Sequence, residues 1–320
     1  MPKFDITFAD IAAARESLRA IVPPTPIRTC STIDALAGRS LVFKCEHLQK
    51  VGAFKFRGAW NAVSKLSDDV AARGVVTHSS GNHAQALALA ARMRDIPAYI
   101  VMPKNAPAVK RAAVVGYGAT VIECEPTLAA RESECARVQS ETGATLIHPF
   151  DNADVIAGQG TALVELLEQA PDLDAVVAPV GGGGLLSGTC IAAAHLKPGL
   201  RVFGAEPLAA DDAARSLRSG AWQPQTSPNT IADGLKTSLG ELTWPIIRER
   251  VERIITVTEP EIVVAMRLAW ERAKLLIEPS SAVAIAAVLT PEFRDLPNLR
   301  RVGIILSGGN VDLDRLPWMT

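Results

Sequence analysis

The chain has 320 residues, 48% of them hydrophobic and 21% charged, with 33 Lys and Arg against 34 Asp and Glu for a net charge of −1. That supplies core for one large or two medium domains and excludes a disordered chain. With no basic excess and no Lys/Arg run, a nucleic-acid footprint is excluded as well. The first ten residues, MPKFDITFAD, contain acids and no apolar core, which argues against a secretory signal. The longest uncharged stretch, 175–194, carries four consecutive glycines and a proline, so a membrane span is not expected. The odd set Cys30, Cys45, Cys124, Cys135 and Cys190 forms no CxxC pair. Free or buried thiols in a reducing cytosol are expected.

Thr7 followed by Asp10 has the form of a capping box before IAAARESLRAIV. From there, short β-rich runs alternate with helical patterns almost to the end. Strands are predicted over 41–45, 74–80, 98–103, 119–125, 144–150, 175–181, 201–207, 254–259 and 301–309. Several are continuous apolar runs, as expected of strands covered on both faces. Between them, 83–94, 128–141 and 261–276 carry apolar residues at spacings of three and four, the mark of amphipathic helices. This alternation predicts an α/β protein with open twisted, mostly parallel sheets flanked by helices.

Four segments break the pattern in a way that invites chemistry: GAFKFRG (52–58), SSGNH (79–83), GGGG (181–184) and SGGN (307–310). The last three each follow an apolar strand, which puts them at the carboxyl edge of a sheet, where clefts form. Gly181, Gly182, Gly183 and Gly184 cost backbone entropy for no packing gain, and they suit a phosphate cup at a helix N-terminus. A dinucleotide reading is attractive because Glu206 ends the next strand roughly 20 residues on. No register of 181–188 satisfies GxGxxG, however, and no GK[ST] follows for a Walker loop. Lys55 lies between Phe54 and Phe56 with glycines at 52 and 58. Such a lysine either snorkels to solvent or is a desolvated amine of lowered pKa, the state that Schiff-base chemistry needs. With a phosphate cup elsewhere, the second reading suggests pyridoxal phosphate (PLP). Asn82 could then donate to a ring oxygen and Ser307 could face a pyridine nitrogen, although each alone reads as a turn or cap residue.

At this point the chain resembles the fold type II PLP enzymes of the serine/threonine dehydratase, serine racemase and 3-hydroxyaspartate dehydratase group. The likeness rests on 44–62 (KCEHLQKVGAFKFRGAWNA), 77–88 (THSSGNHAQALA), 155–161 (VIAGQGT), 179–188 (PVGGGGLLSG), 230–236 (TIADGLK), 275–282 (LLIEPSSA) and 306–312 (LSGGNVD). It implies a tryptophan synthase β-like fold with PLP in an interdomain cleft. The large domain would be 1–49 and 146–320, the small mobile domain 50–145, with no C-terminal regulatory domain and a cytoplasmic homodimer as the assembly.

The resemblance also implies roles. Lys55 would carry the cofactor as a Schiff base beside Phe54, Asn82 would meet its 3′-oxygen, and Gly181 to Gly184 would cup its phosphate. Ser307 would hydrogen-bond the pyridine nitrogen, and Gly234 would leave room beside the ring. Ser80 would be the acid–base hydroxyl on the face opposite the lysine. Ser79, Ser80, Gly81, Asn82 and His83 would cradle the substrate α-carboxylate. Glu206, Asp212 and the carbonyl of Ala210 resemble a divalent-cation site, for Mg²⁺ or else Ca²⁺ or Mn²⁺; an acidic helix start is the plainer reading of the same spacing.

A neutral Ser307 makes the ring a weak electron sink and favours β-elimination. Arg131 matches an arginine that relatives bring to the site mouth, where it could bind a second carboxylate in bidentate fashion; Glu132 and Glu134 beside it fit a solvated helix face instead. GAFKFRGA looks more like the hydroxyaspartate dehydratases than like the GSFK form of serine racemases. Phe150 stands where racemases tend to have asparagine. The expectation is therefore a PLP-dependent ammonia-lyase acting on a small 3-hydroxy amino acid. 3-Hydroxyaspartate is favoured, threonine/serine dehydratase or serine racemase is the alternative, and a dinucleotide-binding oxidoreductase or a silent PLP-binding protein stands further off.

Overall fold

The computed structural model describes residues 5–79, 81–106 and 108–319. Its strands form two sheets, built from β1 (Ile27–Arg28), β2 (Ser40–Lys44), β3 (Val75–His78), β4 (Ala98–Pro103), β5 (Thr120–Cys124), β6 (Thr145–Leu146), β7 (Ala175–Pro179), β8 (Arg201–Pro207), β9 (Arg253–Val257) and β10 (Arg301–Ile305). The larger sheet has the order β1-β2-β10-β7-β8-β9 and the smaller β5-β4-β3-β6. All pairings are parallel except β1 with β2. The α/β expectation holds.

The continuous apolar runs are explained by burial from both sides. Leu41, Phe43, Val177, Phe203 and Ile304 pack with the helix Pro279–Leu289 on one face of the larger sheet. Val42, Val176, Ala178, Val202 and Ile305 pack with the helices Ala153–Gln169 and Gly184–Leu196 on the other. The smaller sheet does the same with Val75 and Ile100 against Asn82–Met93, and with Val76 and Val101 beside residues of Leu128–Thr142. All five cysteines are buried and free. Among the described residues, no helix is long and apolar enough to cross a membrane.

Differences from the expected elements have local causes. The predicted strand 144–150 keeps its ladder only through Ile147, whose N–H donates to Val76 O at 2.9 Å. Pro149 then follows, with no N–H to continue. The helix predicted over 261–276 runs as an α-helix over Glu259–Leu268. It widens to a π-turn at Ala269–Ala273 and stops at Lys274, which sits at φ 58°. The two-residue β1 carries no readable periodicity. The N-terminal signal was legible: Thr7 N–H donates to Asp10 Oδ2 at 2.8 Å ahead of the helix Phe8–Arg19.

Each sheet has a topological switch point, and this decides where a ligand can go. In the larger sheet β10 returns between β2 and β7, so the segments after all three strands are neighbours. In the smaller sheet β6 lies on the opposite side of β3 from β4. The loops that follow β3 and β6 therefore leave in opposite senses and open a crevice between them.

Candidate active site

The two crevices meet. From the larger sheet, the chain after β2 lies along the chain after β10: Phe54 N–H donates to Ser307 O at 2.9 Å, and Ala53 bridges Gly308. This fixes Lys55, the first residue of the helix Lys55–Ser64, beside the end of β10. From the smaller sheet, the segment after β6 crosses to meet it, and Lys55 Nζ donates to Pro149 O at 2.8 Å. The Nζ stands 5.1 Å from the centre of the Phe54 ring. Desolvation of this amine pushes its pKa down to about 8, against the opposing pull of the Glu278 carboxylate. A lysine so placed holds a usable fraction of free amine near neutrality, which nucleophilic and proton-transfer chemistry require.

Asn82 opens the helix that follows β3. Its Nδ2 donates to Glu278 Oε1 at 2.7 Å, and its Oδ1 accepts from Asn310 Nδ2 at 2.9 Å. Asn310 Nδ2 also donates to Val51 O at 2.7 Å. One amide thus ties together the loops after β3 and β10 and the approach to Lys55. Glu278 was not singled out from the sequence, where it looks like an ordinary residue ahead of Pro279. Burial, reinforced by the charge of Asp233, pushes its pKa up to about 8. Its Oε2 is buried with no partner among the described residues.

Ser307 is buried, with its hydroxyl 3.1 Å from Ser281 Oγ. Ser281 in turn donates to Gly308 O and accepts from Gly308 N–H, both at 2.7 Å. Gly234 N–H donates to Ser280 Oγ at 3.0 Å. A Cβ on Gly181 would come 2.9 Å from Leu235 Cα, which places Gly234 and the glycine loop side by side. Gly183 has φ 88°, and the helix Gly184–Leu196 begins immediately after it. A Cβ on Gly182 would fall 2.2 Å from the Phe150 ring. Thr243 Oγ1 donates to Gly182 O at 2.8 Å and so orients that peptide. Amides of a first helical turn have no intrahelical acceptor. A buried glycine cup there fits an anionic phosphate group.

The expected substrate cradle is only partly visible. Ser79 Oγ accepts from Gly81 N–H at 3.3 Å, while Ser80 lies outside the described residues. His83 has one ring nitrogen engaged by backbone. It is buried, its Nε2 stands 3.1 Å from Ile147 O, and burial holds its pKa well below the usual imidazole value. It props up the segment that presents Pro149. Arg131, on the helix Leu128–Thr142, is half-buried, and its Nε is buried without a hydrogen-bond partner among the described residues. Its charge acts on His78, at the end of β3, whose pKa is lowered by burial and further by that guanidinium.

His78 and His148 went unremarked in the sequence, although each sits at or just beyond the carboxyl end of a strand flanking the switch point. Their rings stand edge to face at 5.5 Å. His148 Nδ1 accepts from Asp151 N–H at 3.0 Å, and burial pushes its pKa down to about 4.

Glu206 ends β8 fully buried, accepting from Ala213 N–H at 3.1 Å and Ala214 N–H at 2.9 Å. Each oxygen accepts one backbone N–H and keeps a lone pair for a further partner, and with no GxGxxG register after β7 the dinucleotide reading has no support here. Asp212 Oδ2 accepts from Leu239 N–H at 3.1 Å, while Oδ1 is buried without a partner. Burial and the nearby Asp212 push Glu206 well up; burial pushes Asp212 up to about 7. Two neighbouring buried acids of this kind fit a bound cation. Among the described residues no cluster of three His, Cys, Asp or Glu side chains forms, so backbone carbonyls such as that of the buried Ala210 would have to complete the ligand set.

Comparison with known proteins agrees with this geometry. Over 317 residues the chain is 55% identical to serine racemase of Dictyostelium discoideum, covering 98% of each. The crystal structure of that racemase superposes with a TM-score of 0.93 over 96% of this chain and 99% of the other. β-Hydroxyaspartate dehydratase of Paracoccus denitrificans (strain Pd 1222) is 50% identical over 314 residues, again 98% of each chain. The crystal structure of a threonine deaminase from T.th. is 45% identical with a TM-score of 0.91, over 97% of this chain and 100% of that one. The model of the pyridoxal-phosphate dependent enzymes matches residues 18–308, and with the lysine, the glycine cup and the two facing switch points already in place, the chain belongs to that family.

Proposed function

We propose that the protein β-eliminates water from a small 3-hydroxy amino acid, with 3-hydroxyaspartate as the preferred substrate and oxaloacetate and ammonia as products. Pyridoxal phosphate held by Lys55, with its phosphate in the Gly181–Gly184 cup, would supply a sink for the electrons of the substrate's Cα–H bond. Lys55, its amine brought near neutrality by burial, takes the Cα proton. Asn82, with Phe54 and Ser307, orients the ring, and Gly234 leaves it room. Ser307, a neutral hydroxyl 3.1 Å from Ser281 Oγ, would offer no charge to the ring nitrogen, which suits prompt loss of the β-hydroxyl. Ser79, Gly81 and Asn82 take the α-carboxylate, and Ser80 is assigned the acid–base role for any D-isomer formed. The net change removes Cα–H and Cβ–OH as water. The released enamine tautomerises and is hydrolysed to the keto acid and ammonia.

The substrate choice is carried by the buried, unpartnered Nε of Arg131. With Arg131 at the site mouth, as the likeness to the family implies, a guanidinium with one unanswered donor would favour a substrate that brings a second carboxylate. The likeness to a β-hydroxyaspartate dehydratase supports the same choice. A second reading, serine racemase with serine or threonine dehydratase activity, is favoured by the 55% identity to the Dictyostelium racemase. The same proposal includes a large domain (1–49 and 146–320) and a small mobile one (50–145), a homodimer, and Mg²⁺, or else Ca²⁺ or Mn²⁺, at Glu206, Ala210 and Asp212. One panel tests the substrate: keto-acid release from L-serine, L-threonine and the threo and erythro isomers of 3-hydroxyaspartate, with D-serine assayed in parallel. A preference for hydroxyaspartate supports the first reading, and D-serine formation outpacing all keto-acid release supports the second.

A further inference from the structure

Directly behind Lys55 lies a polar cluster with no direct contact to the crevice. Arg57 is fully buried. Its Nε and Nη2 donate to the two oxygens of Glu46 at 2.7 and 2.8 Å. Its Nη1 and Nη2 donate to the two oxygens of Glu165 at 2.8 and 2.7 Å, and Nη1 also reaches Thr161 Oγ1 at 3.2 Å. Every guanidinium nitrogen is engaged. Lys44, equally buried, donates to Glu165 Oε2 at 2.7 Å, Thr25 O at 2.8 Å and Gln169 Oε1 at 3.0 Å. Thr25 Oγ1 donates to Glu46 Oε1 at 2.6 Å, and Arg15 reaches Glu165 from the rim at 2.9 Å.

We infer that Arg57 is a positioning residue for Lys55, its doubly bidentate clamp on Glu46 and Glu165 fixing the rotation of the Lys55–Ser64 helix about its own axis. Two residues apart on an α-helix point about 200° apart, nearly opposite ways. Holding Arg57 in the core therefore turns Lys55 into the crevice. The clamp spans the elements whose relative placement matters. Glu46 lies just beyond β2, whose Lys44 O accepts from Leu306 N–H next to Ser307 at 3.0 Å. Glu165 lies on the helix Ala153–Gln169, which begins shortly after Pro149.

The helix pair is in close backbone contact beside the clamp. Glycines face each other there: a Cβ on Gly58 would sit 2.7 Å from Val155 O, and one on Gly158 would sit 2.6 Å from Arg57 O. Two lighter ties cross the same contact, Gly58 N–H donating to Gln159 Oε1 at 3.2 Å and Asn61 Nδ2 to Asp154 O at 2.7 Å, and neither carries charge on both sides. A planar fork with four carboxylate contacts has direction, whereas apolar filling of equal volume holds elements together without it. This is the use for which a buried ionic cluster is worth its desolvation cost.

The inference rests on the Lys55 reading above, so the experiment keeps the two apart. Purified holoenzymes of the parent, Lys55→Ala, Arg57→Lys and Val63→Ala are compared. Val63 is a fully buried core residue on the same helix, and its truncation loosens the fold without touching the clamp. Readouts are the melting temperature, the visible circular dichroism of the bound chromophore, borohydride reduction, and kcat and KM on the preferred substrate. Arg57→Lys keeps the charge but loses the fork. It is expected to weaken the visible dichroism and lower kcat by at least about tenfold with KM within about threefold, while Val63→Ala keeps both near parent values. Retention of kcat and dichroism in Arg57→Lys, or equal losses in Val63→Ala, overturns the inference. If Arg57→Lys yields no soluble holoenzyme, Glu46→Gln is read in the same way, and insolubility of both counts against positioning and for a folding role. Survival of a reducible chromophore in Lys55→Ala sinks the Lys55 reading instead.

Discussion

The protein buries carboxylates in two places and treats them in opposite ways. Behind Lys55, burial would push Glu165 up, but hydrogen bonds and charge from Arg57 and Lys44 outweigh it and hold the carboxyl below its usual value. At the end of β8, Glu206 and Asp212 are buried as deeply and accept only from backbone N–H groups; both are pushed up. The chemistry of the side chains is the same, and the difference is compensation. Where the chain supplies its own counter-charges the cluster serves the fold. Where it supplies none, burial drives the acids toward the neutral form.

The comparison breaks most visibly at the compensated end. Removing Glu165 strips Arg57, Lys44 and Arg15 of a shared partner, and an uncompensated buried charge costs about 3–5 kcal/mol. Glu165→Ala should therefore lower the unfolding free energy in denaturant by roughly that amount, with the slope unchanged. A loss within the range of an exposed ion pair, about 0–1 kcal/mol, would mean the cluster is better hydrated than its burial implies.

At the uncompensated end, a counter-charge should be suppliable from solution. A ligand that binds only the native state, supplied at about a hundred times its Kd, adds roughly 2.7 kcal/mol. EDTA should lower the melting temperature, and Mg²⁺ or Ca²⁺ should restore it. Glu206→Gln with Asp212→Asn should remove the response to either. Indifference of metal-free parent protein to both ions would leave Glu206 as a buried acid capping its own helix and nothing more.

A half-buried histidine separates the crevice from both clusters through its pH dependence. His148 accepts the Asp151 N–H at Nδ1, and burial sets its pKa near 4, below the usual 6.5. Between those two values the unfolded chain binds the proton and the folded chain does not, so stability falls as pH drops from about 6.5 to about 4. The slope from this group is up to about 1.4 kcal/mol per pH unit. His148→Asn, whose Oδ1 can take the same N–H, should flatten the acid limb of the stability profile. An unchanged limb would assign it to the buried histidines His83 and His47, whose pKa values burial also lowers.

What was legible in the sequence follows the range of the forces involved. β7 and β8 stood out because strands covered on both faces are apolar throughout, and burial on both sides is what the sheet gives them. Glycines at 181–184 stood out because four in a row are costly in a chain that does not need them, and in the fold they are packed tight, a Cβ on Gly182 meeting the Phe150 ring at 2.2 Å. Lys55 stood out for its aromatic and glycine setting. Glu278, which grips Asn82 from 196 residues away, did not, because nothing local marks a glutamate before a proline as a crevice group. The clamp on Arg57 was equally hidden. Arg57 and Glu46 lay inside a segment already noted and Glu165 in none, the two partners are 11 and 108 positions from Arg57, and a charge reads locally as a solvated face. The fold was legible through periodicity; the electrostatics were not, since pairing is decided by topology. The shortness of β6 was half-legible, in that Pro149 cannot continue a ladder.

Arg131 extends the comparison to a charge of the opposite sign, a guanidinium whose Nε has no partner among the described residues. If that donor is met by the substrate, its partner is an anion. Truncating it should then harm only substrates that bring a second carboxylate. Losing one charge-assisted hydrogen bond costs roughly 1.5–3 kcal/mol, so Arg131→Ala should lower kcat/KM for 3-hydroxyaspartate by at least about tenfold. Threonine has only a methyl at that position and should lose little. The ratio between the two substrates is therefore the quantity to measure. Lysine should rescue poorly, because a point charge lacks the planar fork that matches a carboxylate. A parallel fall for both substrates would assign Arg131 to the packing of its helix against His78, and no fall in either would make it a surface residue. In both cases the preference for a dicarboxylic substrate would lose its physical basis, and the serine racemase reading would gain.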